Sequence, residues 1–429
     1  MPRTGTSAKR APNGNGNIRK KTVTKNGSKY SYWEARYTVG FDTGTGKQIQ
    51  RSVTGKTQKE VAQKLKEITL EIDNGAYIEP SKITLGKWLD IWLKEYTTDK
   101  KYQTVNTYAY SINNHIKPKL GAVKLSQLTA PIIQMFYNEL LRSGKQVAVR
   151  DKSGKIVKKN GKTVFENEPL NAKTVRNTHG VLTKALATAV EVGYLKDNPA
   201  EKTTLPRVKK KNINPLSDKQ VAEFIKLVDK DPFGVIYKVI LFTGLRESEA
   251  LGLTWDCVDF KHSKIRINKQ LQRRRKEDGG VVLASTKNDK ERTITVTPYV
   301  LDLLHTQKIQ QANQSLLIGK AWKAWKNHSE YTHALVFTMP DGDSITQSAL
   351  RHHFDRLRVE LGRPDCRIHD LRHTFAVLSL QNGDDIKTLQ ENLGHATAAF
   401  TLDVYGHVSE KMRTESANRM QKYIDGLAE

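Results

Sequence analysis

The sequence predicts a multidomain protein, mainly α with small β elements, and three observations predict it. At 429 residues the chain exceeds a single core of the usual 100–150 residues or so, so several modules are expected. Its apolar pattern also changes along the chain, from alternation over residues 30–53 to helical spacing over 57–199 and a mixture of both from 217 onward. Finally, 71 basic against 45 acidic residues give a formal charge of +26. Such a surface repels itself without a polyanionic partner, which points to nucleic acid. An anionic membrane is the alternative, but no apolar run of about 18 residues and no signal-peptide core occurs, so no membrane association is expected. Only Cys257 and Cys366 occur, neither in a metal-ligand spacing, so both are read as buried free thiols in a reducing cytoplasm, with no metal expected.

The elements follow in order. Residues 1–16 are a basic, Gly- and Asn-rich tail that cannot bury a core, and the basic run reaches Lys29. From Tyr30 to Val53 the alternation Tyr30, Tyr32, Trp33, Ala35, Tyr37, Val39 resumes as Ile49, Arg51, Val53 beyond a turn at Asp42–Gly46, and this reads as a β-hairpin. Thr57-Gln58-Lys59-Glu60 reads as a capping box, with Val61, Leu65, Ile68 and Ile72 at helical spacing behind it. Residues 17–78 therefore form a small sheet plus one helix. Most of its aromatics are expected in the core, whereas Arg36 and Arg51 are candidate nucleic-acid contacts.

Residues 82–206 read as a helical bundle, with helices at Leu85–Leu93, Tyr102–Ile116, Pro131–Leu141 and Ala172–Val192. An insertion at 146–168 alternates valines with lysines around Gly154 and Gly161. It is read as a protruding hairpin or a mobile loop, and its role as a DNA contact, a subunit contact or a tolerated insertion stays open. Residues 207–215 form a basic linker between prolines, where Lys209, Lys210 and Lys211 are candidate phosphate contacts. A third module, 216–429, opens on the capping box Ser217-Asp218-Lys219-Gln220. It is helical to about Thr254, strand-rich at 264–270, 281–284 and 292–297, and helical again from Pro298.

The chemistry-bearing residues cluster in that last module. Arg246 in Thr243-Gly244-Leu245-Arg246-Glu247 is expected at a helix start, where a guanidinium would add fixed donors to the helix dipole and suit a phosphate. His369 and Arg372 in His369-Asp370-Leu371-Arg372-His373-Thr374 share a helix face, with Asp370 and His373 beside them. Gly394-His395 stands ten residues before Tyr405 in Val404-Tyr405-Gly406-His407, a spacing that permits imidazole and phenol to meet in one cleft.

Taken together, these four boxes resemble the tyrosine recombinases, or phage integrases, in order and separation. The N-terminal module, a three-stranded sheet plus helix on this resemblance, looks like the arm-binding domain of integrases of conjugative transposons, and residues 82–206 look like the family's core-binding domain. The resemblance implies a mixed α/β catalytic domain and a helical-bundle core-binding domain. In it Tyr405 is the nucleophile, Arg246 and Arg372 brace the phosphate, His369 takes the tyrosine proton and His395 binds the phosphate. Lys287 is the residue that protonates the leaving 5′-oxygen, with Lys290 as runner-up; His407 is structural. It further implies a covalent 3′-phosphotyrosine, no cofactor or metal, and a homotetramer on double-stranded DNA. The segment carrying Met412, Met420, Tyr423, Ile424 and Leu427 would dock in trans, and an excisionase or DNA-bending helper could join. A bacterial, nucleoid-associated location follows. A type IB topoisomerase-like relaxing enzyme and an inactive DNA-binding regulator of the same fold are the rival readings.

Overall fold

The computed structural model describes residues 18–25, 27–41, 44–73, 83–208, 213–278, 280–286, 291–323, 335–395, 397 and 410–427. The chain divides into two compact units, Met1–Lys210 and Lys211–Glu429.

The first unit opens with an antiparallel sheet β1 (Ile18–Lys25), β2 (Ser28–Phe41) and β3 (Gln48–Gly55), in the order β1-β2-β3, followed by helix α1 (Gln58–Asp73). The basic run from Arg19 to Lys25 is thus a strand and not part of a free tail. Its pairing explains why: Arg19 sits opposite Glu34, whose nearly buried carboxylate takes bonds of 3.1 and 2.7 Å from the Arg19 guanidinium and 3.4 Å from Lys21. The opposite face carries Ile18, Trp33, Ala35, Tyr37 and Val53, which pack on Val61 and Leu65 of α1. Among the described residues there, only Ala35, Val61 and Leu65 are buried, and Tyr30 and Phe41 are largely exposed. The expectation that most of these aromatics form core is corrected: a three-stranded sheet under one helix has one covered face. The expected capping box is also only half formed. Thr57 Oγ1 accepts from Glu60 N–H, but the Glu60 carboxylate turns back to the Lys56 N–H, one residue earlier than the box requires.

A helical core follows, built from α2 (Leu85–Glu95), α3 (Tyr102–Ser111), α4 (Lys117–Leu120), α5 (Ala130–Ser143) and α6 (Ala172–Glu191). A single π-helical turn, Ile112–Ile116, joins α3 to α4. Trp88, Leu89, Ile112, Phe136, Leu182 and Leu186 fill the centre. Both α2 tryptophans also spend their indole N–H on α6, Trp88 on Ala185 O at 2.8 Å and Trp92 on Thr188 Oγ1 at 3.1 Å. That fixes the register of the two helices beyond apolar contact alone. Between α5 and α6 the insertion is a branched hairpin rather than a loose loop. Its stem pairs β4 (Lys145–Ala148) with β7 (Phe165–Glu168), and its outer arm pairs β5 (Lys158–Lys159) with β6 (Lys162–Thr163). Val149, Val157 and Val164 exchange backbone bonds where the arms part.

The second unit contains α7 (Asp218–Val228), α8 (Gly234–Thr243) and α9 (Glu247–Leu251). Here the capping box forms in full, with Ser217 and Gln220 bonding each other's backbone N–H. Next come β8 (Val258–Asp259), β9 (Lys264–Ile267), β10 (Lys269–Arg273), β11 (Val281–Ser285) and β12 (Arg292–Thr295), arranged as the sheet β12-β9-β8 and the hairpin β10-β11. Helices α10 (Pro298–Ile318), α11 (Gln347–Glu360), α12 (Ile368–Gln381) and α13 (Ile386–Leu393) follow, then a C-terminal helix, Glu410–Leu427. Helix α8 is apolar apart from Lys238, which pairs with Asp229, and from Thr243, and it is buried along nearly its whole length; its Tyr237 hydroxyl donates to Leu350 O of α11 at 2.6 Å. Cys257 and Cys366 are buried and free, and burial pushes the Cys366 thiol up to about 11. Among the described residues no helix is long and apolar enough to cross a membrane.

Candidate active site

The site grows from the ends of three elements in the second unit. Helix α8 stops at Gly244, whose φ of +67° suits glycine and whose added Cβ would lie 2.5 Å from Phe375. That turn delivers Arg246 to the N-cap of α9. Arg246 thus stands at a helix start as expected, but α9 has five residues, and the guanidinium is held by side-chain and carbonyl partners. Arg246 Nη1 donates to Glu249 Oε1 at 2.6 Å and Nη2 to Gly394 O at 3.2 Å, while its backbone N–H donates to Glu249 Oε2 at 3.0 Å.

Helix α13 supplies the floor. It ends in a Schellman-type turn, with Gly394 at φ +64°, Gly394 N–H on Glu391 O and His395 N–H on Gln390 O. Three carbonyls in succession then point at three arginines. Asn392 O accepts from Arg292 Nε at 2.8 Å, Leu393 O from Arg372 Nη2 at 2.7 Å, and Gly394 O from Arg246 at 3.2 Å. Arg372 gives its other Nη to Gly244 O at 2.6 Å, so the same side chain ties the turn after α8 to the end of α13. It is 1% exposed. An arginine so deep is tolerable because its charge is spread over directed, charge-assisted bonds, each contributing about 1.5–3 kcal/mol.

His369 leads α12, one turn before Arg372, and borders an open cleft of about 370 Å³ that also touches Glu247, Arg351 and Arg367. Its ring stands edge-on to His373 at 4.7 Å between centroids. Desolvation, then the neighbouring His373 and Arg372, push its pKa down to about 4. His395 falls further, to about 3, through desolvation and the surrounding Arg372 and Arg246. Both imidazoles are therefore neutral at pH 7, able to accept a proton or to donate one N–H. Asp370 bonds the Arg367 backbone and guanidinium at 2.8–3.1 Å and closes the start of α12, and its charge partly offsets the downward push on His369 and His373.

Two site residues were missed in the sequence reading. Glu249, buried at 2% exposure, accepts from Arg246 and also takes a forked pair from Arg292, at 3.1 and 2.7 Å. Burial alone would raise its carboxyl, but the bonds and charge of Arg292, then of Arg246, hold it down to about 2. Its position three after Arg246 is a signal that could have found it; Arg292, 43 residues further on, offers none.

Of the predicted site residues, Arg246, His369, Arg372 and His395 are thus brought together. Lys287, with its runner-up Lys290, and Tyr405 and His407 lie outside the described residues, as do Lys209, Lys210 and Lys211. Arg36 and Arg51 fall on opposite faces of the sheet: Arg36 pairs with Ser52 on the face away from α1, while Arg51 pairs with Tyr37. Both are exposed.

Such a floor concentrates guanidinium charge and neutral imidazoles around one carboxylate, an arrangement suited to a phosphodiester. Comparison with known proteins points the same way. Residues 214–412 match the model of the phage integrase family, and residues 84–141 match the N-terminal SAM-like domain of phage integrases. The chain is 27% identical over 418 residues to a tyrosine recombinase XerC-like protein of Caldanaerobacter subterraneus, covering 94% of this chain and 98% of that protein. It is 24% identical over 396 residues to the ICEBs1 integrase of Bacillus subtilis, covering 91% and 97%. In fold it is similar to the Tn1549 transposon integrase solved with transposon right end DNA, with a TM-score of 0.61 at 20% identity over 78% of this chain and 99% of that one.

Proposed function

Because the chain belongs to the phage integrase family of tyrosine recombinases, we propose that it is a site-specific recombinase that integrates and excises a mobile element by cutting and rejoining double-stranded DNA. The observation that carries this reading is the run of three carbonyls, Asn392, Leu393 and Gly394, that orders three guanidinium groups beside His395. Two of these, Arg246 and Arg372, brace the non-bridging oxygens of the scissile phosphate, where charge builds in the transition state. Preorganised charge of this kind needs no rearrangement when the reaction starts.

In the proposed sequence the Tyr405 hydroxyl attacks phosphorus. Neutral His369 takes the phenolic proton, His395 donates an N–H to a phosphate oxygen, and Lys287 protonates the 5′-oxygen as its bond to phosphorus breaks. The product is a 3′-phosphotyrosine and a free 5′-hydroxyl; attack by a 5′-hydroxyl of a partner strand reverses the step and returns the proton to the phenolate. Phosphodiester energy is kept, so ATP is not required. Residues 17–78 serve as the arm-type DNA-binding domain, 82–206 as the core-binding domain and 216–429 as the catalytic domain, with Arg36, Arg51 and Lys209–Lys211 on phosphates. Paired cleavage of two duplexes requires a homotetramer. The exposed stripe Met420, Tyr423, Ile424 and Leu427 on the C-terminal helix supports docking of that segment on a neighbour.

The test is a nicked duplex spanning the junctions of the element that carries the gene, in which cleavage releases a short strand and traps the enzyme. The expected result is a denaturation-resistant protein–DNA adduct that Tyr405→Phe abolishes. No adduct at saturating duplex would overturn the assignment.

A further inference from the structure

The geometry points to Arg292 as a positioning residue that acts through Glu249 to keep the charge of Arg246 available for phosphate, an inference that rests on the recombinase reading. Each Glu249 oxygen is shared. Oε1 accepts from Arg246 Nη1 at 2.6 Å and Arg292 Nη1 at 3.1 Å; Oε2 accepts from the Arg246 backbone N–H at 3.0 Å and Arg292 Nη2 at 2.7 Å. Glu249 has two jobs that conflict. It must hold Arg246 in place, yet a buried carboxylate facing one guanidinium would form a closed ion pair and cancel the charge that phosphate requires.

Arg292 resolves the conflict by being a second cation for the same anion. Its side chain is 11% exposed against 2% for Glu249, so their pairing is screened little by solvent. It approaches as a fork, the geometry in which a guanidinium binds a carboxylate most firmly. Its Nε is fixed on Asn392 O at 2.8 Å, and its Cδ and Nη1 lie 3.0 Å from where a Cβ on Gly394 would stand, so it is packed as well as bonded. Arg246, by contrast, keeps a quarter of its side chain exposed. Counting formal charges, Arg292 and Glu249 cancel and leave Arg246 uncompensated. A bare Arg246–Glu249 pair would sum to zero.

The assignment separates charge compensation from simple packing, and three variants read it. On a nicked duplex that the unchanged chain cleaves, Arg292→Ala is expected to slow single-turnover cleavage about 100-fold, the scale of a misplaced catalytic group. Adding Glu249→Gln to Arg292→Ala removes the anion that would otherwise neutralise Arg246 while keeping a carbonyl for the Arg246 N–H, and is expected to recover at least about tenfold of that loss. A packing role predicts the reverse, since a second buried substitution only adds damage. Arg292→Lys, which keeps a cation and the chain's bulk, covers the case in which Arg292→Ala does not fold: it is expected to cleave within about tenfold of the unchanged chain. Cleavage by Arg292→Ala within twofold of the unchanged chain, a double variant no faster than the single one, or Arg292→Lys slower than this bound would each overturn the assignment. None of these outcomes touches the recombinase reading, which fails only if the unchanged chain forms no adduct.

Discussion

The sheet of residues 18–73 and the arginine floor of the second unit both present positive charge, and they hold it in opposite ways. On the sheet, Arg36 is exposed and stands on the open face, above a core whose buried members are Ala35, Val61 and Leu65. In the second unit Arg372 is 1% exposed and is pinned by donating from one Nη to Gly244 O and from the other to Leu393 O, among a core built around α8. Charge on a solvated strand can follow a phosphate wherever it lies, and is worth affinity; charge pinned by carbonyls can only accept a phosphate at one point, and is worth rate. The contrast separates residues that grip from residues that react.

The largest effect expected from breaking this contrast is at Arg372. Arg372→Ala should lower cleavage by more than about 1000-fold and, by orphaning two carbonyls around a buried site, cost about 3 kcal/mol in urea unfolding. The sheet answers differently. Leu65→Ala removes one of three core members and should cost about 2–5 kcal/mol locally; hydrogen exchange is expected to accelerate over residues 18–73 and stay unchanged in α8 and α12. Uniform acceleration in both units would show that the sheet is not independently marginal.

A smaller effect is acid sensitivity of the second unit. His369 and His395 have folded pKa values near 4 and 3, below the ordinary 6.5. Between pH 6.5 and 4 the unfolded chain therefore binds protons that the folded one refuses, and stability falls as pH falls. Glu249, held near 2, adds loss of the same sign only below its ordinary value of 4.5. The melting temperature of the DNA-free protein should decline from pH 7 to pH 5, and a His369→Gln, His395→Gln double variant should decline less. The smallest effect is at Arg36. Arg36→Ala should leave stability within about 0.5 kcal/mol and reduce the dependence of log affinity on log salt by about one.

Legibility followed the range of the interaction. The helix Leu85–Glu95, the hairpin after Tyr30 and the Ser217 cap are local patterns, and they form as read. A third strand in the N-terminal sheet was expected from the resemblance and is present as β1, but its own residues did not mark it, because its partner Glu34 lies on the next strand and Arg19-Lys20-Lys21 looked like solvated charge. Arg246, His369, Arg372 and His395 were legible as motifs, and Arg246 stands at a helix start as read, although the Glu249 and Gly394 partners that hold it were not. Arg292 was not legible. Its meaning comes from Glu249 and Asn392, which are 43 and 100 residues away and which no periodicity relates.

The division between gripping and reacting charge rests finally on where the DNA becomes attached. Mass spectrometry of the peptide that remains nucleotide-linked after digestion of the trapped adduct measures this directly. The expected linkage is on Tyr405, with Arg372→Ala giving no linked peptide and Arg36→Ala giving the same peptide at saturating duplex. Linkage to any other residue, or an Arg372→Ala adduct as abundant as that of the unchanged chain, would contradict it.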